Sequence, residues 1–207
     1  MNRILSLLCL AAFGFVLLYW SPAAATGFEK LPGEQGKTSP LLMRIVHYQG
    51  STNGAITVEV KNPTNAPQVF SAKGIYFVPT GSANEAPQRL GAVGPFQLQS
   101  NEGPSQRMDR TTIAAGAIER LTLDVYCIDS HRASPSSSTS FRVGKDRVPD
   151  SLVKSIDADA AREAAAYGGV SSPRAKSSVQ SQVWKNRDEK WIPLDGEGKQ
   201  EAAKSKR

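Results

Sequence analysis

With 207 residues, 40% of them hydrophobic and 21% charged, the chain has the length and balance of one ordinary globular domain, and an export segment plus a polar tail leave no room for a second full core. The net charge of +6 is spread along the chain, with no dense Lys/Arg block interleaved with aromatics, which excludes a nucleic-acid binder and leaves a mild attraction to anionic lipid or cell-wall polymer. Its 17 Gly and 13 Pro serve mainly as turn punctuation in the first two thirds and favour short strands over long helices.

Residues 1–25 read as a signal peptide, with Arg3 as the positive n-region, an apolar run from Ile4 to Trp20, and the small-residue site Ala23-Ala24-Ala25. Cleavage after Ala25 is expected. The apolar run approaches the length that spans a bilayer, so an uncleaved inner-membrane anchor is the alternative. Either way the chain is expected outside the bacterial cytoplasm, in the periplasm, secreted or at the cell surface. Cys9, behind Ser6-Leu7-Leu8, lacks the Leu-x-small-Cys pattern of a lipidated cysteine. Removal of residues 1–25 leaves Cys127 as the one cysteine, which permits a disulfide-linked dimer but no internal disulfide.

Residues 26–40, with Gly27, Pro32, Gly33, Gly36 and Pro40, predict an extended lead-in, with packing starting after it. Strands are expected at Leu41 to Tyr48 and at Ala55 to Lys61, where Ile56, Val58 and Val60 alternate with Thr57, Glu59 and Lys61 to make one core face and one wet face. The turn signal Asn62-Pro63-Thr64-Asn65 follows. Short strands are then expected at Gln68 to Ala72, Ile75 to Val78, Arg89 to Val93 and Arg110 to Ala114, with polar loops at 79–87 and 101–108. Ile118 to Ile128 has the best alternation, with Leu121, Leu123, Val125 and Cys127 on one face and Thr122, Asp124 and Tyr126 on the other.

A Ser-rich loop from Asp129 to Ser140 leads to a short strand at Thr139 to Val143. Pro149 then stands where a helix can start, and Leu152, Val153, Ile156, Ala160, Ala164 and Tyr167 recur at helical spacing before Gly168-Gly169. Past a breaker at Ser171-Ser172-Pro173, Ser177 to Glu189 predicts a second, shorter helix. The expected fold is mainly β: an immunoglobulin-like β-sandwich of seven or eight strands over 41–145, a helical addition packed on it over 146–192, and a disordered charged tail over 193–207.

Two constellations carry chemistry. The triplet Tyr126-Cys127-Ile128 and the segment Val179-Gln180-Ser181-Gln182-Val183-Trp184 resemble the two short signatures of the thioester domains of bacterial surface adhesins. That resemblance implies an internal thioester between the Cys127 sulfur and the Gln180 side-chain carbonyl, which acylates a nucleophile on a target surface. Such a bond needs shielding from water, and Tyr126 and Trp184 are the candidate shields, since Gln180 and Trp184 share one helical face. The bland alternative makes Cys127 a core residue, Trp184 a core aromatic and Gln180 a surface amide.

The second constellation is Cys127-x-Asp129-x-His131, which on an extended strand would align thiol, carboxylate and imidazole as a weak metal site or a Cys-His pair. His47 is the only other histidine, so a zinc set is incomplete and no metal or cofactor is implied. The plain alternative is a solvated loop starting at Asp129. Asp157, Asp159 and Glu163, with Lys154 and Arg162, read as a solvated helix face.

The absence of a phosphate loop, a nucleophile elbow and a His-Glu-x-x-His helix weighs against an enzyme. The sequence therefore points to a non-enzymatic extracytoplasmic binding module for a protein or cell-envelope component. A covalent binder through Cys127 and Gln180 is the first alternative, and a thiol- or metal-dependent enzyme the second.

Overall fold

The computed structural model describes residues 27–81, 86–93, 98–100, 110–168, 172–189 and 194; the expected signal peptide, the 101–108 loop and nearly all of the expected tail lie outside them. Among the described residues the strands are β1 (Glu29–Pro32), β2 (Thr38–Tyr48), β3 (Ala55–Lys61), β4 (Gln68–Ser71), β5 (Tyr76–Pro79), β6 (Leu90–Gly91), β7 (Leu98–Ser100), β8 (Arg110–Ile113), β9 (Ile118–Asp124), β10 (Tyr126–Cys127) and β11 (Phe141–Val143). The helices α1 (Asp150–Ala166) and α2 (Pro173–Glu189) follow.

All pairings are antiparallel. The strands form a five-stranded sheet ordered β1-β2-β3-β9-β7, a four-stranded sheet ordered β10-β6-β5-β11, and the separate ladder β4-β8. The class is thus mainly β with two C-terminal helices, and none of these sheets closes into a barrel.

Alternation explains the layering. Ile56, Val58 and Val60 of β3 and Leu121 and Leu123 of β9 point into one core, where they meet Phe77, Leu90 and Phe141 of the four-stranded sheet and Phe70 and Ile113 of the small ladder. In β5 the neighbours Tyr76 and Phe77 belong to different cores, and in β10 so do Tyr126 and Cys127. The four-stranded sheet therefore has two apolar faces, one toward the other strands and one covered by α1 and α2.

The other face of β3 is less wet than its alternation predicts. Glu59 is buried between Arg44 of β2 and Arg120 of β9, its two register partners, with Nη2 contacts of 2.5 Å from each guanidinium. The turn after β3 is organised by Asn62, whose Nδ2 donates to the carbonyls of Ala66, Ile113 and Ala114 while its Oδ1 accepts from Thr64 N at 3.0 Å.

Further expectations change. The lead-in packs: Glu29 pairs with Met43, Lys30 with Leu42, and Leu31 is buried. The long strand expected over Ile118 to Ile128 is two strands, because the chain leaves the five-stranded sheet after Asp124 and pairs with β6 from Tyr126 on. Inward alternation continues across Val125, so the sequence carries no sign of the transfer. The second helix starts at Pro173, since a proline lacking an N–H fits the first helical position, and Ser172 Oγ caps the helix by accepting from Ala175 N at 3.0 Å.

The first helix buries Leu152, Val153, Ile156, Ala160 and Ala164 as its spacing predicts, while Tyr167 lies just past its end and is 38% exposed. Its polar face also holds α2: Ser178 Oγ donates to Glu163 Oε2 at 2.8 Å, and Ser155 Oγ donates to Asn186 Oδ1 at 3.0 Å. Leu194, in the segment expected as tail, is buried in the same layer. Among the described residues no helix is long and apolar enough to cross a membrane.

Candidate functional site

Antiparallel pairing with β6 uses one edge of β10, where Tyr126 faces Gly91, Cys127 faces Leu90, and Ile128 N donates to Arg89 O at 3.0 Å. The peptide groups of Cys127 point the other way. Its N–H is shared between Thr52 O at 3.1 Å and Gln180 Oε1 at 2.9 Å, and its carbonyl accepts from Gln180 Nε2 at 2.7 Å. Two residues 53 positions apart, one on a strand and one on a helix, thus meet through a paired set of hydrogen bonds.

Neither residue is open to solvent: Cys127 is 0% and Gln180 3% exposed. The Cys127 side chain lies in the core between the sheets. Burial pushes its thiol up to about 12, and the Asp129 carboxylate adds to the shift by penalising a second negative charge. The sulfur is free of disulfide bonding and sits inside the molecule, out of reach of a second chain in the folded state.

The helix face that delivers Gln180 repeats every four residues through Lys176, Gln180 and Trp184. Lys176 Nζ pairs with Asp124 Oδ1 at 2.9 Å, on the strand that leads into β10. Trp184 Nε1 donates to Gln88 Oε1 at 3.0 Å, just ahead of β6, and its ring packs against the inter-sheet core. Tyr126 is fully buried on the opposite face of β10, beneath the helices, where burial and then the nearby Asp124 carboxylate hold its hydroxyl well above the usual phenol range. Trp184 therefore stands beside the Cys127–Gln180 contact, and Tyr126 behind it.

The second constellation does not assemble. The chain turns at Asp129, with Arg132 N donating to Asp129 O at 3.1 Å, so the extended geometry that would align Cys127, Asp129 and His131 is lost. His131 is exposed on that turn, whereas Asp129 is fully buried and bound by Arg89, Nε to Oδ2 at 2.8 Å and Nη2 to Oδ1 at 2.6 Å. Among the described residues no three His, Cys, Asp or Glu side chains gather as metal ligands. His47 is exposed on β2, just past its bulge.

Asp129 alone departs from the solvated-loop reading, since Ser130 and His131 after it are exposed. Burial raises its pKa, but the hydrogen bonds and charge of Arg89, with Arg187 adding at longer range, outweigh that and hold the carboxyl below its ordinary value. Sequence reasoning missed Arg89, Arg187 and Gln88, all buried beside the site. One signal was present: Arg187 is seven residues past Gln180 and so lies on the same inward stripe of α2.

No family model matches the chain, and neither curated proteins nor solved structures give a match.

Proposed function

We propose that the chain is an exported binding module with an immunoglobulin-like sandwich scaffold, and that it captures a protein or cell-envelope partner covalently through a thioester between Cys127 and Gln180. The supporting observation is the meeting of these two residues, which the motif resemblance singles out from a strand and a helix 53 positions apart in sequence, with the carboxamide held against the peptide of Cys127. Few arbitrary residue pairs so far apart in sequence would touch.

The bond would form by attack of the Cys127 sulfur on Gln180 Cδ. The thiol proton and the amide NH2 leave together as ammonia, and no oxidant is required. A partner amine would then displace the sulfur, returning the thiol and leaving Gln180 as a substituted amide on the target. Burial of both residues would keep water away in the meantime, and Trp184, one turn along the same helix face, would be the shield.

A second reading has its own support. Both carboxamide hydrogen bonds go to the backbone of Cys127, and the thiol is pushed up to about 12, as suits an inert core cysteine beside a structural amide. In that case the module binds without covalent chemistry. Intact mass separates the two: a thioester lowers the mass by about 17 Da, and methylamine then adds about 31 Da at Gln180, leaving the chain about 14 Da heavier than the unmodified one. An unmodified mass, with Cys127 quantitatively alkylated after denaturation, would overturn the covalent reading.

A further inference from the structure

We propose that the groove between β1 and the segment entering α1 binds an amphiphilic anion, meaning an apolar body that ends in a phosphate or carboxylate. The groove has a volume of about 780 Å3, and pockets for small ligands span roughly 300–1,000 Å3. Its apolar lining includes Leu31, Leu42, Val148 and Pro149.

Charge favours an anion. Lys30, Lys37, Lys145 and Arg147 line the groove against two carboxylates, Asp146 and Asp150. Lys30 and Lys37 are exposed and their ammonium groups have no partner among the described residues. Arg147 is fixed in the wall by hydrogen bonds to neutral acceptors, with Nε on Pro32 O at 2.9 Å and Nη1 on Ser71 O at 3.0 Å and Lys73 O at 2.5 Å, while the carboxylates of Glu34 and Asp150 act on it at longer range. Those bonds hold its guanidinium in place without neutralising it. Burial lowers its pKa to about 10, so it remains charged at neutral pH.

The apolar side of the ligand also has somewhere to go. A smaller groove of about 280 Å3 shares Leu31, Lys37 and Arg147 with the first and runs on to Arg110 and Val69. Val69 is 62% exposed, the largest exposure among the large apolar side chains described. An apolar ligand body could cover it while the anionic head stays with the lysines.

The test uses decyl phosphate, inorganic phosphate, and vesicles of phosphatidylglycerol or phosphatidylcholine. Decyl phosphate should bind saturably and shift the amide resonances of Thr38, Ser39, Leu42, Val148 and Asp150, and inorganic phosphate should bind far more weakly. Retention on phosphatidylglycerol vesicles but not on phosphatidylcholine would assign the ligand to a lipid headgroup, and decyl phosphate binding without vesicle retention would assign it to a free amphiphile. The Lys30→Glu/Lys37→Glu variant should lose about tenfold or more in affinity, with Lys154→Glu on α1 as the control of equal charge change per site. Absence of saturable binding, equal binding of inorganic phosphate, equal loss in the control, or shifts confined elsewhere would each overturn the proposal. Circular dichroism of the double variant checks that it is folded, so that a loss of binding reports the groove.

Discussion

Arg89 closes on Asp129 from three directions: two guanidinium bonds at 2.8 and 2.6 Å, and its own backbone N–H at 3.1 Å, all inside the protein. Because the folded carboxyl is held below its ordinary value, the stability this pair supplies is complete above the unfolded-state pKa of about 4 and is lost as pH falls through the lower folded value. Urea midpoints measured from pH 7 down to pH 2 should therefore drop more steeply below pH 4 in the native protein than in Asp129→Asn. At pH 7, Arg89→Ala should cost about 3–5 kcal/mol, since it strands a buried carboxylate. Parallel curves for the native protein and Asp129→Asn would remove this residue from the acid response.

Gln180→Glu separates the donor from the acceptor half of the amide. At neutral pH the new carboxylate can still accept from Cys127 N but faces the Cys127 carbonyl without a proton, so a loss of about 1–3 kcal/mol is expected. The buried acid would have its folded pKa raised, so its stability deficit shrinks as pH falls and the protonated form donates again. Chemical denaturation at pH 7 and pH 4.5 checks this, and a deficit that grows at the lower pH would contradict the geometry.

Gly144 leaves room for a ring. A Cβ there would stand 2.4 Å from Cε2 of Tyr76, a side chain that is itself fully buried, and Gly144 N donates to Tyr76 O at 2.8 Å, so neither partner can step aside. Gly144→Ala should lower stability by about 1–3 kcal/mol through overpacking, read as a reduced melting temperature. An unchanged melting temperature would show that the Tyr76 ring relocates without cost.

Where the physics is local, the sequence was a good guide. Ala55 to Lys61 and the stripe from Leu152 to Ala164 are read from periodicity alone, because each sends one apolar face into a single core, whereas the burial of Glu59 on the other face of β3 depends on Arg44 and Arg120 and was not legible. The transfer between sheets at Val125 was not legible, since the same inward alternation serves both sheets. Pro173 looked like a breaker because proline ends helices and begins them with the same residue type. At the site, the pairing of Cys127 with Gln180 was visible as two short motifs, whereas the burial of Asp129 depends on Arg89, forty positions away, and no local pattern records such a partner.

The shared hydrogen bonds at Cys127 have a consequence for association between molecules. β10 ends the four-stranded sheet, and a terminal strand with free peptide groups invites pairing with another chain and, through it, aggregation. Here an amide borne by a helix, together with Thr52, already saturates that border, so β-addition at β10 first requires α2 to withdraw.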